Sequence, residues 1–319
     1  EISGCYWQAC TLQAGVKLGL FTRLGQDRLT SQEMAEACAC DPDAMDRLLS
    51  GLAAMGLLIK KQETFANSEA AQAYLSKDSP EYIGHMIMHH HHLVPSWARL
   101  DEAVKSGRPV RTGSFEDKQW RESFLMGMFN NAMLIAPELV SHVDVSDRKH
   151  LLDLGGGPGT YAIHFCLNNP GLRTTVLDLP ETRPFAERII DRFQLGDRIS
   201  FVPGDYVRED LRGTYDAAWL SHVLHGEGPD DCRRIIEKTE SVLEPGGKII
   251  IHDFILDDTR DGPFFPALFS LNMLLGTDGG RSYSEQELVQ MLKEAGFRDI
   301  ARLPYIGPTE SGLITGTKT

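Results

Sequence analysis

The sequence predicts an α/β protein whose second half is a doubly wound parallel sheet with helices on both faces, preceded by a helical domain of winged-helix type. Three observations carry this. Beyond residue 145, continuous apolar runs alternate with helical stretches. Before it, apolar residues recur at helical spacing and are followed by a short hairpin pattern. Directly after the first apolar run of the second half stands a cluster of glycines, "LLDLGGGPGTYAIHF", where a doubly wound sheet takes its ligand.

Composition narrows the function classes. The 319 residues, 42% of them hydrophobic, can bury the cores of two domains. A net charge of -13 with no local cluster of Lys and Arg argues against a nucleic-acid protein. The six cysteines, at 5, 10, 38, 40, 166 and 232, form no C-x-x-C pair, which fits free thiols in a reducing, cytoplasmic setting. No apolar run is expected to reach the roughly 18 to 20 residues of a membrane span, and the first residues show no signal-peptide pattern.

In the first half, "YWQACTLQAGVKLGLFTRL" and "TSQEMAEACACDPDAMDRLLSGLAAMGLLI" read as three helices. Thr30 or Ser31 caps the second with Glu33 close behind, and Asp41 before Pro42 opens the third. A hairpin follows, with "GLLIKK" and "TFANS" flanking Gln62 and Glu63. This pattern commonly reads DNA, yet acids outnumber bases before residue 110, which favours a protein partner. The organisation expected is residues 1–105 as the first domain, 106–145 as a helical linker, and 146–319 as the α/β domain.

The strands expected in the second half are "HLLDLGG", "RTTVLDL", "RISFVPGD", "YDAAWLSHVL" and "GKIIIHDFIL". Helices are expected over Tyr161 to Asn168, Pro184 to Phe193, Asp230 to Leu243 and Glu285 to Glu294. The tail "SGLITGTKT" adds a last edge strand.

The chemistry begins at the glycines. Gly155, Gly156, Gly157 and Gly159 let the backbone approach a ligand closely at the start of a helix. Counting G-x-G-x-x-G from Gly155 puts Thr160 where a dinucleotide site has its third glycine, which counts against a nicotinamide cofactor. Three carboxylates favour a cationic nucleoside instead. Asp153 precedes the glycines and can take a cationic amine, directly or through water. Asp178, in "VLDLP", is placed to accept from ribose hydroxyls. Asp205, in "PGDY", is placed to accept from an adenine amine, with Tyr206 offering a ring face. The cofactor implied is S-adenosylmethionine.

The segment "HVLHGEGPDDC" carries His222 and His225 followed by Glu227. H-x-x-H-x-E lacks the i, i+4 spacing of a helical zinc pair, so no metal is expected. The run His89 to His92 is internal; consecutive residues of a helix point in different directions, which favours packing over a shared metal.

In order, "DLGGGPG", "VLDLP", "PGDY", "HVLHGEGPDDC", "LEPGGKIIIHDFIL", "LNMLLGTDGGR" and "EQELVQMLKEAGF" resemble the motifs of class I S-adenosylmethionine-dependent O-methyltransferases of the caffeate, hydroxyindole and bacterial polyketide or phenazine types. The likeness covers nearly the whole chain. It implies a Rossmann-like catalytic domain behind an all-helical, winged-helix-like dimerisation domain, and hence a homodimer. It extends the cofactor set of Asp153, Gly155, Gly157, Asp178, Asp205 and Tyr206 to Leu179, Gly204 and Ser221. It makes His225 the general base toward a substrate hydroxyl and Asp253 the acid that orients it, with His222 structural. Two positions depart from that family, which carries acids where this chain has Gly226 and Ser282.

Two apolar segments, "ESFLMGMFNNAMLIAP" and "GPFFPALFSLNMLLG", are implied to line the substrate site, with Phe129, Asn272 and Met273 foremost. The implied substrate is an aromatic or polyketide-like small molecule. C-methylation or a non-methylating reaction on the same scaffold is the alternative, and a metabolite-sensing regulator is a third reading, which would need a basic recognition helix.

Overall fold

The computed structural model describes residues 2–111 and 118–319. Its contacts divide the chain into two compact units. One holds the described residues of Glu1–Val94 and Gly113–Asn131, the other those of Pro95–Thr112 and Ala132–Thr319. The expected linker at 106–145 includes 112–117, which lie outside the described residues.

In the first unit, α1 (Tyr6–Lys17) and α2 (Leu20–Leu24) lead to the two-residue strand β1 (Leu29–Thr30), α3 (Ser31–Cys38) and α4 (Pro42–Ala54). Thr30 closes a capping box with Glu33, and Asp41 accepts from the Ala44 amide at 2.9 Å ahead of Pro42, so both helix starts follow from local sequence. The hairpin is β2 (Leu58–Lys61) and β3 (Thr64–Asn67), with Gln62 at φ +52° in its turn. β3 also pairs with β1, giving the sheet order β1-β3-β2. The unit is thus helical with a small three-stranded sheet rather than helices alone. Then follow α5 (Glu69–Leu75) and α6 (Gly84–Trp97). Leu20, Phe21, Met34, Leu49, Leu52 and Phe65 are fully buried between these elements.

The histidine run lies on α6. His91 Nε2 receives the Lys17 ammonium at 3.1 Å while Nδ1 faces the Gln13 amide oxygen at 3.3 Å. His89 meets Phe124 edge-on at 5.3 Å, and burial pushes its pKa down to about 4.

The helices α7 (Leu100–Ser106) and α8 (Lys118–Leu139) precede the main sheet. Contrary to the expectation that no run is long enough, the 22-residue helical stretch Arg121–His142 holds an 18-residue window of mean hydropathy 1.2, enough by length and composition alone to cross a membrane. It carries Arg121, Glu122, Asn130, Asn131, Pro137 and Glu138.

The main sheet begins with β4 (His150–Leu154), α9 (Thr160–Asn168), β5 (Arg173–Asp178), α10 (Arg183–Arg192) and β6 (Ile199–Pro203). It continues with β7 (Tyr215–Ser221), α11 (Pro229–Val242), β8 (Leu243–Asp253), α12 (Phe264–Gly276), α13 (Glu285–Glu294), β9 (Phe297–Ile306) and β10 (Gly312–Lys318). The order is β6-β5-β4-β7-β8-β10-β9, with the first five parallel and β10 antiparallel to both neighbours. The tail strand β10 is therefore interior, not an edge as expected. The edge is β9, whose alternation is blurred by Arg298, Asp299, Arg302 and Pro304.

Alternation along the strands builds the two layers. Leu152, Leu154, Ala218, Leu220, Ile249 and Ile251 face a core with Ile235 and Leu288, while Leu151, Ala217, Trp219, Ile250 and Leu313 face one with Tyr161 and Phe165. The order reverses between β4 and β7, so the carboxyl ends of β5, β4, β7 and β8 surround the crevice where such sheets bind ligands.

Candidate active site

The glycine loop leaves β4 with Gly155 at φ +65° and Gly157 at φ +52° and enters α9 through Gly159 at φ +78°. A methyl group added to Gly155 would lie 2.8 Å from Val223 Cγ2 and 3.3 Å from the Tyr206 ring; one on Gly156 would lie 2.5 Å from Asp153 Cγ. The loop must be glycine both for conformation and for space.

Asp153 is 1% exposed. Its Oδ2 accepts from the Ala162 amide at 3.3 Å, and Oδ1 is buried with no hydrogen-bond partner among the described residues. Burial pushes its pKa up to about 7, against the pull of the Ala162 N–H and with a further push from Asp178.

Asp178, at the end of β5, accepts from the Gly157 amide at 2.8 Å on Oδ2, and from the Leu179 amide at 2.7 Å and the Thr182 hydroxyl at 3.0 Å on Oδ1. A carboxylate has about four lone-pair sites, so one on Oδ2 remains open. Burial raises its pKa, partly offset by the three donors. Leu179 follows, 37% exposed.

After β6, the Gly204 amide donates to the Asp178 carbonyl at 3.0 Å. Asp205 uses Oδ1 to accept from the Val207 amide at 3.0 Å and the Arg208 amide at 3.1 Å, with Oδ2 3.6 Å from the exposed Arg208 guanidinium. Tyr206 packs toward Gly155, and burial raises the pKa of its phenol. At the end of β7, the Ser221 hydroxyl lies 2.8 Å from His252 Nδ1.

The residues expected to bind cofactor therefore come together at four adjacent strand ends. A buried carboxylate oxygen without a partner suits a cationic amine, the open lone pair of Asp178 suits a hydroxyl, and the tight loop admits a ligand against bare backbone. These residues fit S-adenosylmethionine.

His225 lies in a single 3₁₀ turn, Leu224–Gly226, beyond β7. Its Nδ1 is 2.6 Å from Asp253 Oδ1 at the end of β8, and its amide donates to Asp253 Oδ2 at 3.3 Å. Burial alone would raise the Asp253 pKa, but the attraction of His225 and contacts from the imidazoles of His225 and His222 hold it well below the carboxylate range. With Nδ1–H donating to Asp253, Nε2 of His225 keeps its lone pair free to accept a proton.

Sequence reading missed the apolar setting of this pair. Phe254 stacks on His225 at 5.8 Å and 21°, and Phe269 of α12 meets it edge-on at 4.8 Å. Phe265 and Phe269 both pack on Phe254, at 4.9 and 4.5 Å. The phenylalanines of "GPFFPALF" and the residue after Asp253 were the available signal. The structure also brings His222 to the pair: ligand atoms of His222, His225 and Asp253 lie within 4.8 Å of one another, a grouping that sequence spacing does not show.

On α12, the Asn272 amide oxygen accepts from the Trp97 indole at 3.1 Å, and the Met273 carbonyl accepts from Thr277 Oγ1 at 2.8 Å. Phe129 is buried on α8 in the first unit. At the departing positions, Gly226 has open space where a side chain would begin. Ser282 is buried and donates to the Pro266 carbonyl at 2.8 Å.

A family model described as an O-methyltransferase domain matches residues 97–298, and an O-methyltransferase dimerisation domain matches residues 1–77. The chain is 31% identical to 3-hydroxy-5-methyl-1-naphthoate 3-O-methyltransferase of Streptomyces sahachiroi, over 98% of this chain and 92% of that one. It is 32% identical to the tetracenomycin polyketide synthesis 8-O-methyl transferase TcmO of Streptomyces glaucescens, over 97% and 93%. A solved structure titled PigF with SAH, a Serratia sp. methyl transferase, aligns at TM-score 0.90 and 29% identity, covering 99% of this chain and 97% of the other.

Proposed function

We propose, for a chain that belongs to the O-methyltransferase family and is an S-adenosylmethionine-dependent O-methyltransferase, that it methylates a phenolic hydroxyl on an aromatic, polyketide-like small molecule with His225 as general base. The observation that carries this is the 2.6 Å contact between His225 Nδ1 and Asp253 Oδ1, set among phenylalanines beside the glycine loop. The names of the two Streptomyces relatives, a hydroxynaphthoate and a polyketide O-methyltransferase, support the substrate class.

Bound cofactor supplies an electrophilic methyl group on a positive sulfonium. The chain's own residues do the rest. Asp153 takes the cationic amine, Asp178 the ribose hydroxyls and Asp205 the adenine amine, with Gly155, Gly157, Leu179, Gly204, Tyr206 and Ser221 shaping the cleft. Phe254 and Phe269 offer ring faces to a flat substrate, with Asn272 and Met273 following Phe269 on α12. His225 Nε2 removes the phenolic proton as the oxygen attacks. Asp253 fixes the tautomer and stabilises the imidazolium. Holding the reactants in line is worth roughly 7–11 kcal/mol, against about 10²- to 10⁴-fold for the base, so alignment comes first.

The same reading makes residues 1–105 a dimerisation domain serving a homodimer, 106–145 a helical segment contributing to the substrate pocket, and 146–319 the catalytic domain. The absence of any C-x-x-C pair among the six cysteines suits a reducing cytoplasm. The test is a panel of naphthols and related phenols with labelled methyl donor, followed by location of the methyl group. Label on oxygen, lost in His225→Ala, is expected; label on carbon or nitrogen, or none on any phenol, contradicts the reading.

A further inference from the structure

Beside the His225–Asp253 pair stands a titratable side chain to which this reaction gives no part. His222 leaves β7 at φ +57°, a left-handed conformation that costs a residue with a Cβ roughly 1–2 kcal/mol. Contacts hold it there. Its amide donates to the His252 carbonyl at 2.8 Å, and its ring lies edge-on to His252 at 4.4 Å and against Phe254 at 4.5 Å. So placed, Nδ1 sits 3.6 Å from Asp253 Oδ1, the same oxygen that lies 2.6 Å from His225 Nδ1. That Nδ1 is buried and has no hydrogen-bond partner among the described residues.

A ring-nitrogen lone pair aimed at a carboxylate oxygen repels it, whereas an N–H attracts it. The tautomer that fits carries its proton on Nδ1, and an approach of about half an ångström completes the hydrogen bond. We propose that His222 is a positioning residue for the base: a third N–H donor on Asp253 Oδ1, beside His225 Nδ1 and the Phe254 amide at 2.8 Å, that helps keep the carboxylate turned toward His225 and takes up part of its charge. The proposal rests on reading His225 as the base.

A carboxylate oxygen shared among three donors stabilises each less than it would stabilise one alone. His222 therefore lessens the hold of Asp253 on the imidazolium formed in turnover, so that it releases its proton again. The titratable groups acting on His222 are Asp253 and His225, with His252 packed against it. Burial lowers the pKa of His222 and holds His252 well below the histidine range, so both stay neutral at pH 7. Asp253 then has one cation to pair with when His225 takes the proton.

Two measurements decide it. Nitrogen-15 histidine NMR on the unmodified protein should show His222 neutral with its proton on Nδ1; a proton on Nε2 overturns the proposal, and this readout needs neither substrate nor variant. In the second, His222→Gly accepts the positive φ and removes the ring, and His222→Asn accepts it with a short amide. The acidic limb of the kcat/KM profile should rise by about half a pH unit or more in His222→Gly and return partway in His222→Asn, with cofactor Kd within about twofold of the parent. An unmoved limb, or cofactor affinity lost in step with turnover, reduces His222 to strand-end packing. If His222→Gly does not fold, the tautomer in the parent protein still decides. Full turnover in His225→Ala would instead sink the base assignment and this proposal with it, leaving the tautomer result standing.

Discussion

Asp153 and Asp253 lie toward the carboxyl ends of two strands of one sheet, are 1% and 4% exposed, and are pushed in opposite directions. Asp153 is raised to about 7 by burial, with a single long backbone N–H opposing it. Asp253 is as deeply buried and is held well below the carboxylate range, because the pull of His225 and two imidazole contacts outweigh desolvation. Burial sets the cost of a charge, and the partners decide whether the charge survives. The β8 end carries its own counter-group, whereas at the β4 end one oxygen of Asp153 has no hydrogen-bond partner among the described residues, which is where we propose the cofactor's cationic amine sits.

The comparison can be broken at several points. Removing the base has the largest expected effect: His225→Ala should lower turnover by about 10²- to 10⁴-fold while calorimetry finds cofactor affinity near normal. Next, Asp253→Asn takes away the carboxylate that accepts from His225 and should cost about 1–3 kcal/mol of stability at pH 7. Its depressed pKa makes that contribution complete above the unfolded value near 4 and lost as pH falls below it, so the melting curves of parent and variant should converge in acid.

Asp178→Ala removes the acceptor of three donors and should weaken cofactor binding by about 10- to 100-fold in calorimetry. Asp153→Asn runs opposite to Asp253→Asn. A carboxyl raised from 3.8 to about 7 contributes fully below pH 4 and loses that contribution as pH rises through 7. The variant should therefore be more stable than the parent at pH 8 by about 1–3 kcal/mol, with no gain at pH 4. The smallest effect is expected at Gly226, where a new side chain meets open space; Gly226→Asp should change stability by under about 0.5 kcal/mol.

Much of this was legible in the sequence because it is local. The capping box at Thr30, the cap at Asp41, the Gln62-Glu63 turn and the bounds of α13 follow from neighbouring residues. Strand ends after apolar runs placed Asp153, Asp178 and Asp205 at the carboxyl ends of the strands. What failed was non-local. The tail strand reads as an edge until β9 folds outside it, and nothing in "FRDIARLPYI" announces a strand by alternation. His225 and Asp253, 28 positions apart, meet because β7 and β8 are neighbours in the sheet. Their pairing came from family resemblance, not from spacing. The approach of His222 to the same oxygen depends on a positive φ, and Phe269 arrives by the docking of α12. Neither is written in local pattern.

The division of labour between the two aspartates is tested most directly by measuring cofactor Kd and the single-turnover methyl-transfer rate at saturating cofactor, side by side, in Asp153→Asn and Asp253→Asn. We expect Asp153→Asn to weaken Kd and leave the saturated rate within about threefold, and Asp253→Asn to lower the rate by at least about tenfold with Kd nearly unchanged. Both quantities falling together in both variants would contradict it.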